Sequence, residues 1–154
     1  MSSDHEPMED VRLAFHNSMK SEEKLSFFLE NNAFPDNGVT DAYKGLSKAM
    51  MAQYTYFPFT KYEFFQQGKG MVEKAIKLDP ANPELRYVRL LLQLNTPSFL
   101  GYRSDIDNDL AVLMEALDKG LFDKKWKATF VANLIESKSL TLDQRSSLCE
   151  HLAG

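Results

Sequence analysis

Cysteine is almost absent from this sequence. The 154 residues include one cysteine, Cys149, so the chain cannot form an internal disulfide. This scarcity is typical of a protein from a reducing compartment, or of a secreted protein that needs no disulfides. The opening residues, MSSDHEPMED, contain neither the basic start nor the apolar core of a signal peptide. We therefore expect a cytoplasmic protein, unless a leader was removed and replaced by the first methionine.

Long apolar runs and a basic surplus are also missing. No apolar run approaches the roughly 20 residues that a membrane-spanning helix requires. The 18 Lys and Arg residues are outnumbered by 22 Asp and Glu residues, which gives a net charge of −4. A general nucleic-acid-binding protein usually carries a basic surplus. We therefore expect neither a membrane nor a nucleic acid among the partners.

The common catalytic and metal-binding motifs are absent as well. The run Gly68–Gly70 begins like a dinucleotide-binding fingerprint, but Glu73 occupies the position of the third glycine. The run Asp105–Asp109 resembles the opening of a calcium loop, but Leu110 and Ala116 occupy the positions that require Gly and Glu. An acidic helix N-terminus explains this run better. We therefore expect a non-enzymatic protein with no metal site and no cofactor.

Apolar residues, in contrast, are plentiful and recur at helical spacing. Hydrophobic residues make up 44% of the chain, enough for a core in one domain of this length. After a polar lead-in to about residue 7, the spacing and the turn residues predict about seven or eight helices. Six of them are expected near residues 11–19, 25–29, 39–54, 58–78, 84–94 and 105–119. Two more helices follow: the first should direct Trp126, Phe130 and Leu134 inward, and the second Leu148 and Leu152.

The stretch 54–65 contains seven aromatic side chains and is interrupted by Pro58. We expect it to form a corner of the core between helices, and a ligand-stacking site is the alternative. Thr60 and Glu63 have the spacing of a capping box, which predicts a helix start there. Thr141 and Gln144 have the same spacing near the C-terminus.

Small residues indicate where helices approach each other closely. Ala42, Gly45 and Ala49 lie at such positions in the predicted third helix, and Gly68 lies in the fourth. A glycine inside a helix costs up to about 1 kcal/mol relative to alanine, so a packing reason is expected for Gly45. Gly120 is well placed to end the helix before it.

Residues 75–84, AIKLDPANPE, predict the end of one helix and the start of the next. The residue before a proline is pushed out of the helical region, which ends the first helix before Pro80. Pro83 suits the first turn of a new helix, where its missing N–H has no consequence.

This junction resembles the tetratricopeptide repeat. The matching residues are Gly68, Ala75, Leu78, Asp79, Pro80, Asn82, Pro83 and Glu84. The resemblance extends loosely over residues 39–119, but the first-type helices begin near Val39 and Pro83, 44 residues apart, whereas the repeat has about 34 residues. Arg86 also stands where the family has Trp. The chain is similar, too, to small uncharacterised bacterial helical proteins with AYKG and FLGY elements, here 42–45 and 99–102.

The resemblance implies an all-α fold in which antiparallel helix pairs stack as a short tetratricopeptide-like α-solenoid. We expect a single helical domain over 1–154, with N-terminal helices in 1–38, a repeat-like core in 39–119 and capping helices in 120–154. Such a stack presents a concave groove to a protein or peptide.

Charge indicates where this groove lies. Residues 1–36 have a balance of −5, residues 37–103 of +4 and residues 104–154 of −3. We therefore predict a peptide-binding site at Lys44, Lys48, Arg86 and Arg89, which favours an acidic peptide or a C-terminal carboxylate. The alternative is that these charges pair with the acidic flanks or are simply solvated.

The leading functional hypothesis is a scaffold or adaptor that binds a protein or peptide segment. The alternative is a small-ligand-binding or enzymatic helical domain that uses the aromatic stretch 54–65. A third hypothesis is a self-associating scaffold in which Trp126, Phe130 or the C-terminal helix pairs with its copy. The oligomeric state stays open at this point.

Overall fold

In a computed structural model, which describes residues 7–152, every regular element of the described part is a helix. The eight α-helices are α1 Pro7–Ser18, α2 Glu22–Glu30, α3 Gly38–Met50, α4 Pro58–Leu78, α5 Pro83–Asn95, α6 Ile106–Asp118, α7 Lys124–Ile135 and α8 Leu142–Leu152. Short 3-10 helices cover Met51–Tyr54 and Ser98–Leu100. The predicted all-α class and the number of helices are confirmed. Of the predicted lead-in, residues 1–6 lie outside the described range. Within that range, no helix combines the length and the apolar character needed to cross a bilayer.

The chain divides into two compact units between Pro80 and Ala81. The first unit contains α1 to α4, and the second contains α5 to α8. The boundary falls in the turn between the two prolines and inside the expected core of residues 39–119. Each unit is therefore described by itself.

The first unit has a core that the helical spacing predicts well. Val11, Phe15 and Leu25 are fully buried, and the Phe15 ring lies 4.9 Å from the Tyr43 ring of α3. Ser21 caps α2 by accepting a hydrogen bond from the Lys24 backbone N–H at 3.2 Å. The ring contact joins α1 to α3, a hydrogen bond from Lys44 to the Asn31 carbonyl joins α3 to the end of α2, and α3 packs along α4.

Two glycines bring α3 and α4 into direct backbone contact. A methyl group added at Gly45 would lie 2.7 Å from the carbonyl oxygen of Gly68 and 2.8 Å from the Met71 side chain. One added at Gly68 would lie 2.8 Å from the backbone nitrogen of Ala49. Side-chain carbons do not fit at such distances, so the close helix contact predicted from the small residues is confirmed.

The start of α4 differs from the prediction. The helix begins at Pro58, as expected, but its N-cap residue is Phe57, and no side chain caps it. Thr60 already lies in the first turn of the helix, so the predicted capping box of Thr60 and Glu63 is wrong. The fixed φ of Pro58 suits the first helical position, which makes a polar cap less necessary.

The aromatic stretch around this helix start is also not the predicted core corner. Phe65 is buried, but Tyr56, Phe57, Phe59 and Tyr62 are exposed. The extended segment after Tyr54 and the first turn of α4 turn these rings outward. Composition alone does not reveal which side of a helix start faces the protein.

The second unit is built around an aromatic stack. The Tyr87 ring of α5 lies 4.0 Å from the Phe130 ring of α7, and Trp126 lies beside Phe130 at 6.0 Å. The Tyr87 hydroxyl accepts a hydrogen bond from the Asn133 amide at 3.2 Å, and burial raises the pKa of Tyr87 well above its usual value. The inward positions of Trp126, Phe130, Leu134 and Leu148 are confirmed. Leu152, which was also expected inward, is 43% exposed.

Local turn residues begin and end helices of the second unit. Asn82 caps α5 by accepting from the Glu84 backbone N–H at 2.9 Å. Gly120 follows α6 with a positive φ of 69°. The capping box before α8 is confirmed, since Thr141 and Gln144 exchange two hydrogen bonds of 3.0 Å.

Candidate functional site

The four basic residues predicted to form one site belong to different units. Lys44 and Lys48 lie on α3 of the first unit, whereas Arg86 and Arg89 lie on α5 of the second. The two pairs are therefore considered separately.

Arg86 and Arg89 bind the same buried carboxylate. Arg89 donates two hydrogen bonds to Asp109, of 2.9 Å from Nε and 2.8 Å from Nη2, and Arg86 donates one of 3.1 Å. Gln93 adds a fourth from its amide at 2.9 Å. The Asp109 side chain has no solvent exposure. This bidentate, charge-assisted arrangement is among the strongest hydrogen-bond patterns in proteins.

The arginine pair is therefore part of the interior of its own unit. The Gln93 side chain also accepts a hydrogen bond from the Asp105 backbone N–H at 3.0 Å, so the network ties α5 to the start of α6. The sequence shows the polar stripe of Arg86, Arg89 and Gln93, and all three converge on Asp109. These two arginines therefore follow the alternative given above, in which the basic residues pair with the acidic flank, here with Asp109.

Lys44 and Lys48 line an open cleft of about 770 Å³ in the first unit. We call it the basic cleft. Its lining consists of Ser26, Leu29 and Glu30 from α2, Lys44 and Lys48 from α3, and Gln66, Gln67, Gly70, Met71 and Lys74 from α4. Three lysines and one glutamate give this lining a positive balance. Lys74 was missed as a site residue in the sequence, although its position on α4 follows from the confirmed helix.

Lys44 is fixed at the end of α2. Its ammonium group donates to the carbonyl oxygens of Asn31 at 2.6 Å and of Leu29 at 3.4 Å. Carbonyl groups at a helix C-terminus lack partners within the helix and carry partial negative charge, so a lysine there is stabilising. An ammonium group has three donors, which leaves one for a ligand.

Lys48 and Lys74 complete the positive lining. The Lys48 ammonium group lies 5.7 Å from the centre of the Phe64 ring, within the range of a cation–π contact. Lys74 is an exposed residue of α4. Lys44 and Lys48 are four residues apart on one helix, so their side chains lie on the same face about 6 Å apart.

The basic cleft has the chemistry of an anion-binding groove. Its ammonium groups attract carboxylates or phosphates, and the Gln66 and Gln67 amides offer both donors and acceptors. Leu29 and Met71 add apolar surface between these polar groups. None of the ten lining residues belongs to the aromatic stretch 54–65, on which the small-ligand alternative depends.

The two rings expected to take part in self-association do not lie on the surface, whereas pairing through the C-terminal helix stays a prediction. Trp126 is 2% exposed and Phe130 is fully buried, so neither ring is available to a second copy. Both rings belong to the core of the second unit. Exposed aromatic rings lie elsewhere, at Phe99 in the second unit and around the start of α4 in the first.

The resemblance of residues 75–84 to the tetratricopeptide repeat stays a prediction. The helix end at Leu78 and the new start at Pro83 agree with it, but such a turn joins helices in other folds too. No protein-family model, no curated protein and no solved structure matches this chain.

Proposed function

We propose that this chain is a non-enzymatic helical adaptor that binds an acidic segment of a partner protein in the basic cleft. The observation that carries the proposal is the convergence of three lysines from α3 and α4 on one groove. The surrounding unit makes this local charge significant. Residues 1–80 carry nine basic and twelve acidic side chains, a balance of −3, so the positive lining is a local exception.

Magnitudes indicate how such a segment would bind. An exposed ion pair contributes about 0.2–1 kcal/mol, so three lysines supply at most about 3 kcal/mol. A micromolar complex needs about 8 kcal/mol. The remainder has to come from apolar contact with Leu29 and Met71 and from hydrogen bonds to the partner's backbone. We therefore expect weak, salt-sensitive binding that depends on sequence as well as on charge.

The tetratricopeptide-like arrangement belongs to this proposal too. Its support is the junction at 75–84 and the packing of α3 on α4 at Gly45 and Gly68, since Gly68 is a residue that the resemblance matched. The cytoplasmic location also belongs here, because Cys149 would stay reduced there.

A displayed library of random peptides tests the proposal and requires no candidate partner. Peptides selected by the wild-type chain should be enriched in Asp and Glu. The double variant K48E/K74E should lose this enrichment, because the cleft lining becomes negative. Circular dichroism and a melting curve should show that the variant is folded.

A matched variant controls for the change in net charge. K124E/K138E replaces two exposed lysines of the second unit and should select the same acidic peptides as the wild type. Selection without acidic enrichment would contradict the proposal, as would equal enrichment by K48E/K74E.

A further inference from the structure

Four aromatic side chains are exposed within seven residues at the start of α4. Tyr56 is 95% exposed, Phe57 70%, Phe59 72% and Tyr62 49%. An aromatic side chain has about 150–250 Å² of surface to bury, so this group approaches the size of the largest apolar patches on monomers. Patches of that size often serve binding.

This patch continues into the basic cleft. Phe59, Tyr62, Gln66, Gly70 and Lys74 follow one another at spacings of three or four residues, which places them on one face of α4. The last three line the cleft. One end of the face is therefore aromatic, and the other is polar and positive.

We infer that the segment bound by this chain is bipartite, with an acidic stretch in the basic cleft and an apolar or aromatic anchor on Phe59 and Tyr62. The inference rests on the proposed function, because the cleft supplies the charge that selects the acidic stretch. It adds a second contact on the partner, and it sets the distance between the acidic stretch and the anchor.

The length of α4 sets this spacing. Phe59 lies eleven residues before Gly70 and fifteen before Lys74, which corresponds to about 16–22 Å along the helix axis. An extended peptide advances about 3.3 Å per residue, so the anchor lies about five to seven residues from the acidic stretch. A helical ligand would need about eleven to fifteen residues. The Gln66 and Gln67 amides favour the extended form, since only that form has free backbone groups to pair with them.

A peptide fits this surface better than an anionic membrane does. Lysines beside aromatic rings are also typical of membrane-surface helices. However, the cleft is concave between three helices, whereas a bilayer presents a broad surface. The balance of −3 over residues 1–80 would also oppose approach to anionic lipid.

Fluorescence anisotropy with synthetic peptides tests the inference on the full chain. One peptide carries four glutamates interspersed with leucines, which supply the apolar contact to Leu29 and Met71. Three others add a tryptophan to it after Gly-Ser spacers of about 2, 6 or 13 residues, lengths set by the strand and helix rises. The six-residue spacer should bind about tenfold more tightly than the acidic peptide alone, as expected for one desolvated aromatic contact. F59A/Y62A should lose this gain and keep the affinity for the acidic peptide.

The control variant F99A/L142A removes two exposed apolar side chains of the second unit and should keep the gain. Three results would overturn the inference and leave the proposed function intact: an equal gain in affinity in F59A/Y62A, a gain that does not depend on the spacer, or an optimum at the longest spacer. So would Phe59-dependent binding to phosphatidylserine vesicles in preference to the peptides. If the acidic peptide does not bind the wild type, or binds K48E/K74E equally, the proposed function fails and the inference fails with it.

Discussion

Asp109 is the side chain on which the interior of the second unit depends most. It receives hydrogen bonds from two arginines and a glutamine, and Arg86 and Arg89 have side-chain exposures of only 11% and 7%. Burying two guanidinium groups is unfavourable unless a carboxylate compensates them. The network therefore fixes how α5 meets α6, even where its net contribution to stability is small.

Removing the Asp109 charge should destabilise the protein strongly. We expect D109N to lower the free energy of unfolding by about 3–5 kcal/mol, because two buried guanidinium groups lose the buried carboxylate that both of them bind. Asp105 lies 3.6 Å from Arg89, but its side chain is 38% exposed and compensates this loss weakly. Urea unfolding at neutral pH measures the loss. The exposed Asp143 provides the matched control, since D143N should change stability by no more than about 0.5 kcal/mol. A loss below about 1 kcal/mol in D109N would mean that the arginines find water or another carboxylate instead.

The sequence shows half of this network. The spacing of Arg86, Arg89 and Gln93 places them on one helical face, and the acidic run that contains Asp109 is visible too. What the sequence does not contain is the contact between them, because it joins residues far apart in the chain through the packing of two helices. The signal that could have found it is the conjunction of a polar stripe with an acidic helix start in the following element.

At the scale of elements, the contact of α3 with α4 decides the shape of the basic cleft. The cleft lysines Lys44 and Lys48 project from α3 and the glutamines from α4, so the distance between the helices sets its width. Gly45 and Gly68 allow the two backbones to touch. Any side chain at this crossing would separate the helices and change the cleft together with the core.

The two neighbouring glycines of α4 should respond in opposite ways to alanine. G68A should lower the free energy of unfolding by about 2 kcal/mol, because the added methyl meets the backbone of α3. G70A should raise it by about 0.5–1 kcal/mol, because no atom lies within 4 Å of the added methyl and alanine favours the helix. Chemical denaturation of both variants checks the signs. Equal effects would show that the helices separate easily at this crossing.

Helices were predictable from the sequence because their signals are local. The bounds of α4 follow from Pro58 and from the turn after Leu78, and the capping box of α8 is recognised from Thr141 and Gln144 alone. The orientation of the aromatic stretch was not predictable, since exposure depends on where the neighbouring helices end. The capping box predicted at Thr60 was wrong for a related reason: the helix already begins at Pro58, so Thr60 lies inside its first turn.

At the scale of the molecule, the charge balance of sequence segments did not predict where the basic side chains lie in the structure. The basic segment 37–103 predicted one groove, but the boundary after Pro80 divides that segment between two compact units. Arg86 and Arg89 bind a carboxylate inside the second unit. Three of the six lysines of the segment line a cleft in the first unit. The part of the predicted site that the structure brings together is therefore Lys44 and Lys48, with Lys74 added by α4.

The division into two units predicts that a chain cut after Pro80 keeps its binding activity in the first unit, although that unit alone is less stable than the full chain. The fragment Met1–Pro80 should unfold cooperatively and bind the four-glutamate peptide like the full chain, because its core and the whole basic cleft belong to it. Domains of this size bury only about 60% of their surface and are marginal, so a lower melting temperature is expected. Ending the fragment at Gln67 instead removes half of α4 and should abolish both folding and binding. Melting curves and anisotropy on the two fragments measure this. A Met1–Pro80 fragment without a cooperative transition would mean that the second unit is needed to fold the first, and that the cleft depends on the entire chain.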